Sequence, residues 1–358
     1  MTCAFLTLAA VVLFAVWVAA VEGAFHLSGP APERLEAPTV DGWTLAVWYS
    51  PAAPRRFREP VVLCHGLANN HAFFDLRPRS LVAHLTALGF DCYAVDLRGA
   101  GASVPPHEGP WQVTVDDHVL RDVPAVVELV TAHAHAERVL WVGHSLGGLV
   151  GLAASSGPLG AHLQGLVTLG SPAFFTPRRQ VGWMLFLAQF LSPWGALGTG
   201  VVRLVAPLAG RLPAPCLHGS ANLDNITPQV QRLAAANIFA PLWRGVLGQL
   251  EDWTTHDEFR SLDGQVDYRA AVAALRVPVL VVGGSVDRLA PLPATLALFE
   301  LLPAASRQLA RFGTAFGHQA DYGHGDLVLG RHADQEVFPV VDAFLQAVAT
   351  PVEPPVAP

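Results

Sequence analysis

Short apolar runs alternate with segments of helical period along most of the chain. Runs rich in β-branched and aromatic residues predict buried strands, and apolar residues recurring every three or four positions predict helices. The predicted strands are residues 43–50, 60–64, 91–97, 138–143, 163–170, 277–284 and 307–313, and the predicted helices are residues 79–90, 115–134, 145–155, 294–302 and 334–348. Buried strands separated by helices predict an α/β architecture, a mostly parallel sheet with helices on both faces.

Residues 172–265 interrupt this alternation. Two stretches, residues 181–210 and 230–253, have a helical period and almost no strand signal, and they are rich in Trp, Phe and Leu. The pattern predicts a helical cap inserted between two strands of the sheet, flanked by a first core part (residues 41–171) and a second core part (residues 266–348). Such an apolar cap over a site favours an apolar substrate.

Both ends of the chain differ from this core. Residues 3–21 are unbroken by any charge and reach roughly 28 Å as a helix, close to the thickness of a bilayer core. We therefore predict a membrane anchor within residues 1–23, with a cleaved signal peptide as the competing interpretation and the side of the membrane left open. Residues 24–40 are Pro-rich and predict a linker, and residues 349–358 predict a disordered tail.

Composition limits the classes of molecule that the protein is expected to bind. Of 358 residues 52% are hydrophobic, the net charge is −7, and every basic residue is Arg, with no basic cluster. This excludes nucleic acid as an expected partner. The four cysteines are scattered without metal-ligand spacing, so no metal is expected, and Cys64 and Cys92 lie in apolar runs that predict buried, reduced thiols. The oligomeric state stays open.

The sequence GHSLGG, residues 143–148, places Ser145 between two glycines, after a predicted strand and before a predicted helix. This strand-turn-helix context is the one that a nucleophilic serine on a sharp turn requires. A glycine-rich loop without chemistry is the alternative. A nucleophilic serine needs a base, an acid and donors for a developing oxyanion, so these decide between the two interpretations.

Candidates for those partners follow other predicted strands. His65 and Gly66 end an early buried strand, which places the backbone amide of Leu67 as one oxyanion donor and that of Leu146 as the second. His65 itself is expected to be structural. Asp287 follows the strand of residues 277–284 and is the candidate acid, because the strand end before the cap carries no carboxylate.

Two histidines compete for the role of base. His318 and His324 both follow the last strand-like run, and we favour His324 because it leads directly into the closing helix. His318 stays open as the alternative. The remaining histidines, His71 and His118 among them, are expected at the surface or in loops.

Taken in order, five motifs resemble those of the α/β-hydrolase superfamily of lipases and esterases. They are HGLANN (65–70), FDCYAVDLRGAGAS (90–103), GHSLGG (143–148), VPVLVVGGSVDRLAP (277–291) and YGHGDLVLG (322–330). The last is similar to acid lipases and polyhydroxyalkanoate synthases, but the synthases use Cys where this chain has Ser145. The resemblance implies an α/β-hydrolase fold and hydrolysis of an ester or lipid through an acyl-enzyme, without metal or cofactor. An acyltransferase or thioesterase, and a catalytically silent binding module, remain alternatives.

Overall fold

An eight-stranded sheet organises the protein. The computed structural model describes residues 31–107, 109, 111–175, 195–211 and 221–352, with residues 16–18, 20, 21, 23–25 and 27 nearer the N-terminus. The strands of the sheet are, in chain order, β1 (Glu33–Pro38), β2 (Thr44–Ser50), β3 (Val61–Cys64), β4 (Cys92–Val95), β5 (Val139–His144), β6 (Leu163–Leu169), β7 (Val279–Gly284) and β8 (Arg307–Phe312).

Across the sheet the strands lie in the order β1-β2-β4-β3-β5-β6-β7-β8. β2 is antiparallel to both of its neighbours, and every pair from β4 to β8 is parallel. The predicted mostly parallel sheet is therefore confirmed. Because parallel strands end at the same edge, the loops after β3, β5, β6, β7 and β8 are brought together there.

Helices connect these strands. They are, in chain order, α1 (Leu81–Leu88), α2 (Val115–Asp117), α3 (Val123–Ala134), α4 (Leu146–Ala154), α5 (Pro158–His162), α6 (Gly195–Leu204), α7 (Pro228–Asn237), α8 (Arg244–His256), α9 (Tyr268–Ala273), α10 (Leu292–Leu301), α11 (Asp326–Leu329), α12 (Ala333–Glu336) and α13 (Phe338–Val348). A π-helical turn, His118–Asp122, joins α2 to α3, so the helix predicted over residues 115–134 is continuous but widened in its middle.

The core lies on both faces of the sheet. Val62 and Cys64 of β3 pack into a cluster with α3, α4 and α10, whereas the alternate residues Val61 and Leu63 pack into a second cluster with α1 and α13. Successive side chains of a strand point to opposite faces, so a strand covered on both sides is apolar at every position. Cys64 and Cys92 are buried and free, as predicted, and burial raises the pKa of both thiols.

The predicted linker, residues 24–40, is wrong over its C-terminal part. Glu33–Pro38 form β1 and pair with β2 in antiparallel register. Only Ala37 of these six residues is buried. An edge strand that faces solvent keeps the polar residues that also characterise a linker, and this explains the error.

The predicted membrane anchor is also corrected. Among the residues that the structure describes, no helix combines the length and apolar character needed to cross a bilayer. Residues 16–18, 20, 21, 23 and 24 are helical, and the Trp17 indole N–H donates to the carbonyl of Leu204 on α6 at 3.1 Å. Residues 1–15, which make up most of the predicted anchor, lie outside the described part of the chain.

Between β6 and β7 the chain forms α6, α7, α8 and α9. The predicted division of this region into cap and core stays a prediction, and residues 176–194 and 212–220 of the cap lie outside the described residues, as do residues 353–358 of the predicted tail. Helix α8 packs against the core: Gln249 bonds to Asp116 at 2.6 Å, and Trp253 is fully buried.

Candidate active site

Ser145 occupies a strained turn between β5 and α4. Its backbone has φ 52° and ψ −118°, a region that non-glycine residues seldom enter, and its side chain is half-buried. A Cβ atom at position 143 would lie 2.4 Å from the carbonyl of Gly147, and one at position 147 would lie 2.0 Å from the carbonyl oxygen of Cys64. Glycine is therefore required on both sides, and the turn exposes the serine at the edge of the sheet.

The loop after β3 packs directly against this turn. A Cβ atom at Gly66 would lie 3.0 Å from Cβ of Ser145 and 2.8 Å from Nδ1 of His144. The next residue is Leu67, whose amide makes no backbone hydrogen bond within the described residues. The amide of Leu146, the first residue of α4, has no acceptor within its own helix. The two predicted oxyanion donors thus lie in segments that flank Ser145.

Asp287 and His324 form a buried pair. Nδ1–H of His324 donates to Oδ2 of Asp287 at 2.8 Å, and each residue is 5% exposed. An ionised carboxylate only accepts hydrogen bonds, so the proton of a neutral imidazole lies on Nδ1 and Nε2 keeps its lone pair. This tautomer is the one that can accept a proton from a serine hydroxyl.

The carboxylate of Asp287 is held in the ionised form. Burial by itself would raise its pKa, but the electrostatic interaction with His324 and the hydrogen bonds that Asp287 accepts outweigh burial and lower the pKa. The amides of Leu289 and Ala290 both donate to Oδ1 at 2.8 Å. The same two bonds fix the orientation of the carboxylate, which leaves Oδ2 directed at the imidazole.

His324 lies against the turn that carries Ser145. The amide of Ser145 donates to the carbonyl of Leu169 at the end of β6, and a Cβ atom at the next residue, Gly170, would lie 3.1 Å from Nδ1 of His324. The rings of His144 and His324 have centroids 4.7 Å apart. The structure therefore brings the three predicted residues, Ser145, Asp287 and His324, to one edge of the sheet.

His144 is a site neighbour that sequence reasoning missed. Its Nε2–H donates to the backbone carbonyl of His324 at 3.1 Å, and its Nδ1 is buried and has no hydrogen-bond partner among the described residues. Burial and the nearby His324 lower the pKa of His144 to about 3. His144 is therefore neutral near pH 7 and adds no charge beside His324. Its position directly before Ser145 was the only signal in the sequence.

Three other histidines, His65, His118 and His318, make contacts other than the one with Asp287. His318 contacts the backbone of Gly313, with its Nδ1 3.2 Å from the carbonyl oxygen, so the pairing with Asp287 belongs to His324. His65 is buried and bonds to the backbone of Gly66 and Leu97, and burial lowers its pKa to about 4. His118, expected at the surface or in a loop, is 3% exposed and begins the π-helical turn.

In the part of the chain that the structure describes, no group of three or more His, Cys, Asp or Glu side chains could hold a metal ion. The polar groups gathered at the edge of the sheet are instead a hydroxyl, an imidazole, a carboxylate and two backbone amides. Together they can transfer a proton and bind a developing negative charge.

The sequence profile of a family described as alpha/beta hydrolase fold matches residues 59–316. This chain belongs to that α/β-hydrolase family. The match begins before β3 and includes Ser145 and Asp287, so it covers most of the sheet. The fold and the superfamily expected from the sequence motifs are confirmed.

Relatives of this α/β-hydrolase include esterases. It is 26% identical over 232 residues to a pimeloyl-[acyl-carrier protein] methyl ester esterase of a Shewanella species, covering 64% of this chain and 74% of that protein. It is 24% identical over 312 residues to a poly(3-hydroxyalkanoate) polymerase subunit of Haloferax mediterranei, covering 78% of this chain and 59% of that one.

Among solved structures, a thermophilic esterase from Thermogutta terrifontis superposes with a TM-score of 0.60 at 18% identity, covering 89% of this chain and 100% of that one. At this identity the likeness establishes the fold alone. The α/β-hydrolase is thus esterase-like in its fold and in its relatives.

Proposed function

We propose that this α/β-hydrolase is a serine hydrolase that cleaves carboxylic esters with apolar acyl chains. Ser145 is the nucleophile, His324 the base and Asp287 the residue that orients the imidazole. The observation that carries the proposal is the buried 2.8 Å bond between Asp287 and His324, beside a serine held at φ 52°. A strained serine and a correctly tautomerised histidine at one edge of the sheet serve acyl transfer directly.

The first half of the reaction forms an acyl-enzyme. Oγ of Ser145 attacks the ester carbonyl carbon while Nε2 of His324 takes the hydroxyl proton. The carbonyl oxygen becomes an oxyanion, which accepts hydrogen bonds from the amides of Leu67 and Leu146. Each such donor contributes about 3 kcal/mol to stabilising the transition state. The tetrahedral intermediate then collapses, and His324 gives its proton to the departing alcohol.

The second half releases the acid. His324 removes a proton from a water molecule, whose oxygen attacks the acyl carbon, and the proton returns to Oγ of Ser145 as the ester bond to the enzyme breaks. Asp287 remains ionised throughout and stabilises the imidazolium in both halves. Since its pKa is lowered, the carboxylate stays ionised at neutral pH.

One observation supports an apolar acyl chain: the inserted region is rich in Trp, Phe and Leu. A curated relative acts on a methyl ester by its name, which supports ester cleavage but not a particular acyl chain. The same acyl-enzyme would serve an acyltransferase or a thioesterase, so acceptor alcohols and thioesters belong in the assay.

Hydrolysis of p-nitrophenyl esters from acetate to palmitate tests the proposal. We expect turnover that rises toward the longer chains and disappears in Ser145→Ala. A fluorophosphonate probe should label the wild type at Ser145 and leave the folded variant unlabelled. Folded wild type that releases no p-nitrophenol at any chain length would contradict ester hydrolysis, and faster consumption of ester with an added alcohol would assign a transferase instead.

A further inference from the structure

One stretch of the inserted region, residues 221–240, contacts two separate loops of the candidate site. We call it the bridging segment; it contains a 3-10 turn, Leu223–Asn225, and α7. Its first residues lie against the loop that carries His324. Its last residues lie against the loop that carries Leu67. The segment therefore connects the base to one of the oxyanion donors.

At the His324 loop the contact is made by Asp326. Its carboxylate is fully buried and accepts hydrogen bonds from the amides of Gly323 and Asn222 and from the side chain of Asn225, at 2.9–3.0 Å. The side chain of Asn222 donates to the carbonyl of Asp321 at 2.7 Å. Asp326 thus fixes the residue directly before His324 and joins it to the bridging segment.

At the other loop the contact is made by Asn70 and Ala68. Nδ2 of Asn70 donates to the carbonyl of Asn237 at 2.8 Å, while its Oδ1 caps a 3-10 turn by accepting from the amide of Ala72. The carbonyl of Ala68 accepts from the amide of Ala240 at 2.8 Å. Asn70 is 4% exposed, so its side of the bond to Asn237 is buried.

The backbone of Ala68 has a strained conformation. It has φ 59°, a conformation that costs a residue with a Cβ on the order of 1 kcal/mol or more. Ala68 follows Leu67 directly, so a fixed conformation at Ala68 restrains the chain one residue beyond the amide of Leu67. The bond from Ala240 holds that conformation in place.

We propose that Asp326 and Asn70 are positioning residues, which act through the bridging segment to hold His324 and the Leu67 amide in register. The proposal rests on the function proposed above. Neither side chain needs to touch the substrate. Their loss should impair the chemical step more than substrate binding, because misplacing reacting groups by about 1 Å costs up to a hundredfold in rate.

Two conservative substitutions test the proposal. Asn70→Ser keeps an oxygen that can cap the 3-10 turn but is too short to reach Asn237. Asp326→Asn keeps the shape but turns one acceptor into a donor facing other donors. We expect each to lower kcat about 10- to 100-fold with KM changed less than about threefold. The affinity for a trifluoromethyl ketone, which forms an adduct with the serine, should fall in parallel.

Two further substitutions serve as matched controls. Asn69→Ala removes the side chain that precedes Asn70 and that makes no hydrogen bond within the described residues. Asp342→Asn replaces a half-buried carboxylate that is bonded to His84. Both should retain kcat within about twofold. If Asp326→Asn fails to fold, Asn222→Ala removes the side-chain bond from the bridging segment to Asp321 without altering a buried charge, and should lower kcat in the same way.

Combining Asn70→Ser with Asn222→Ala should reduce kcat by less than the product of the single effects, because both substitutions break the same connection, the bridging segment between the two loops. The positioning role is overturned if kcat is unchanged in folded Asn70→Ser and in folded Asp326→Asn, or if these variants only raise KM. Failure of the proposed function is recognised separately, because the wild type would then resist fluorophosphonate labelling at Ser145. That outcome overturns the positioning role as well.

Discussion

Two buried His–Asp pairs in this protein have almost the same geometry and very different surroundings. Nδ1 of His324 lies 2.8 Å from Asp287, and Nδ1 of His118 lies 2.8 Å from Asp122. All four residues are at most 5% exposed. Distance and burial therefore do not separate the proposed catalytic pair from a structural one.

The remaining contacts do separate them. Asp122 also accepts from Arg98, whose Nε lies 2.7 Å away, and Arg98 continues to Asp41 at 2.7 Å. His118 thus belongs to an ion network that fastens the π-helical turn to the loop after β4. Among the described residues Asp287 binds only backbone amides besides its histidine, and His324 lies beside a strained serine. What the pair contacts, rather than the pair itself, determines its chemistry.

Removing each imidazole should give the largest difference between the two His–Asp pairs. We expect His324→Ala to lower kcat by on the order of 10⁴-fold or more, because the serine loses its base. His118→Ala should retain kcat within about threefold in the folded protein and lose about 1–3 kcal/mol of unfolding free energy, because a buried acceptor loses its donor. Ester turnover and urea unfolding measure the two effects.

His318→Ala serves as the control for the first of these variants. It should retain most of the activity. If instead His318→Ala is inactive and His324→Ala is active, the role of base passes to His318.

Replacing each carboxylate by its amide gives the next largest contrast. Asp287→Asn should reduce kcat about 10⁴-fold, because the amide no longer selects the tautomer with Nδ1 protonated. Asp122→Asn should leave kcat nearly unchanged and lower the free energy of unfolding by about 3–5 kcal/mol, because Arg98 stays buried without its full counter-charge. Equal loss of kcat in both folded variants would show that the two pairs do not differ in function.

The sequence predicted the sheet and the candidate triad because both depend on local signals. Apolar runs mark β3 to β7, and glycines at 143 and 147 mark the turn at Ser145. The burial of His118 could not be predicted, since it depends on Arg98, whose contact comes from tertiary packing. The same holds for His144 and for the bridging segment. The sequence mispredicts edge strand β1 because its polar residues do not indicate that it pairs with β2. It mispredicts the membrane anchor because apolar character alone does not establish that a helix crosses a bilayer.

Two other buried histidines, His65 and His144, differ from both His–Asp pairs. His65 and His144 bond to backbone groups and to no carboxylate, and burial lowers their pKa values to about 4 and about 3. As the pH falls below 6.5 the unfolded chain takes up protons at these positions and the folded protein does not. The stability they contribute is therefore complete above pH 6.5 and is lost as the pH falls toward 4 and 3.

The resulting effect is the smallest of those considered. Between pH 6.5 and pH 5 each histidine should lower the free energy of unfolding by about 2 kcal/mol. His144→Gln keeps a donor for the His324 carbonyl and removes the titration, so its loss of stability over this range should be about 2 kcal/mol smaller than that of the wild type. Urea unfolding at the two pH values gives the difference. Identical pH dependence would mean that His144 takes up its proton at the same pH in the folded protein as in the unfolded chain. Below that pH a cation beside His324 would oppose the charge that forms on the imidazole when it accepts the serine proton.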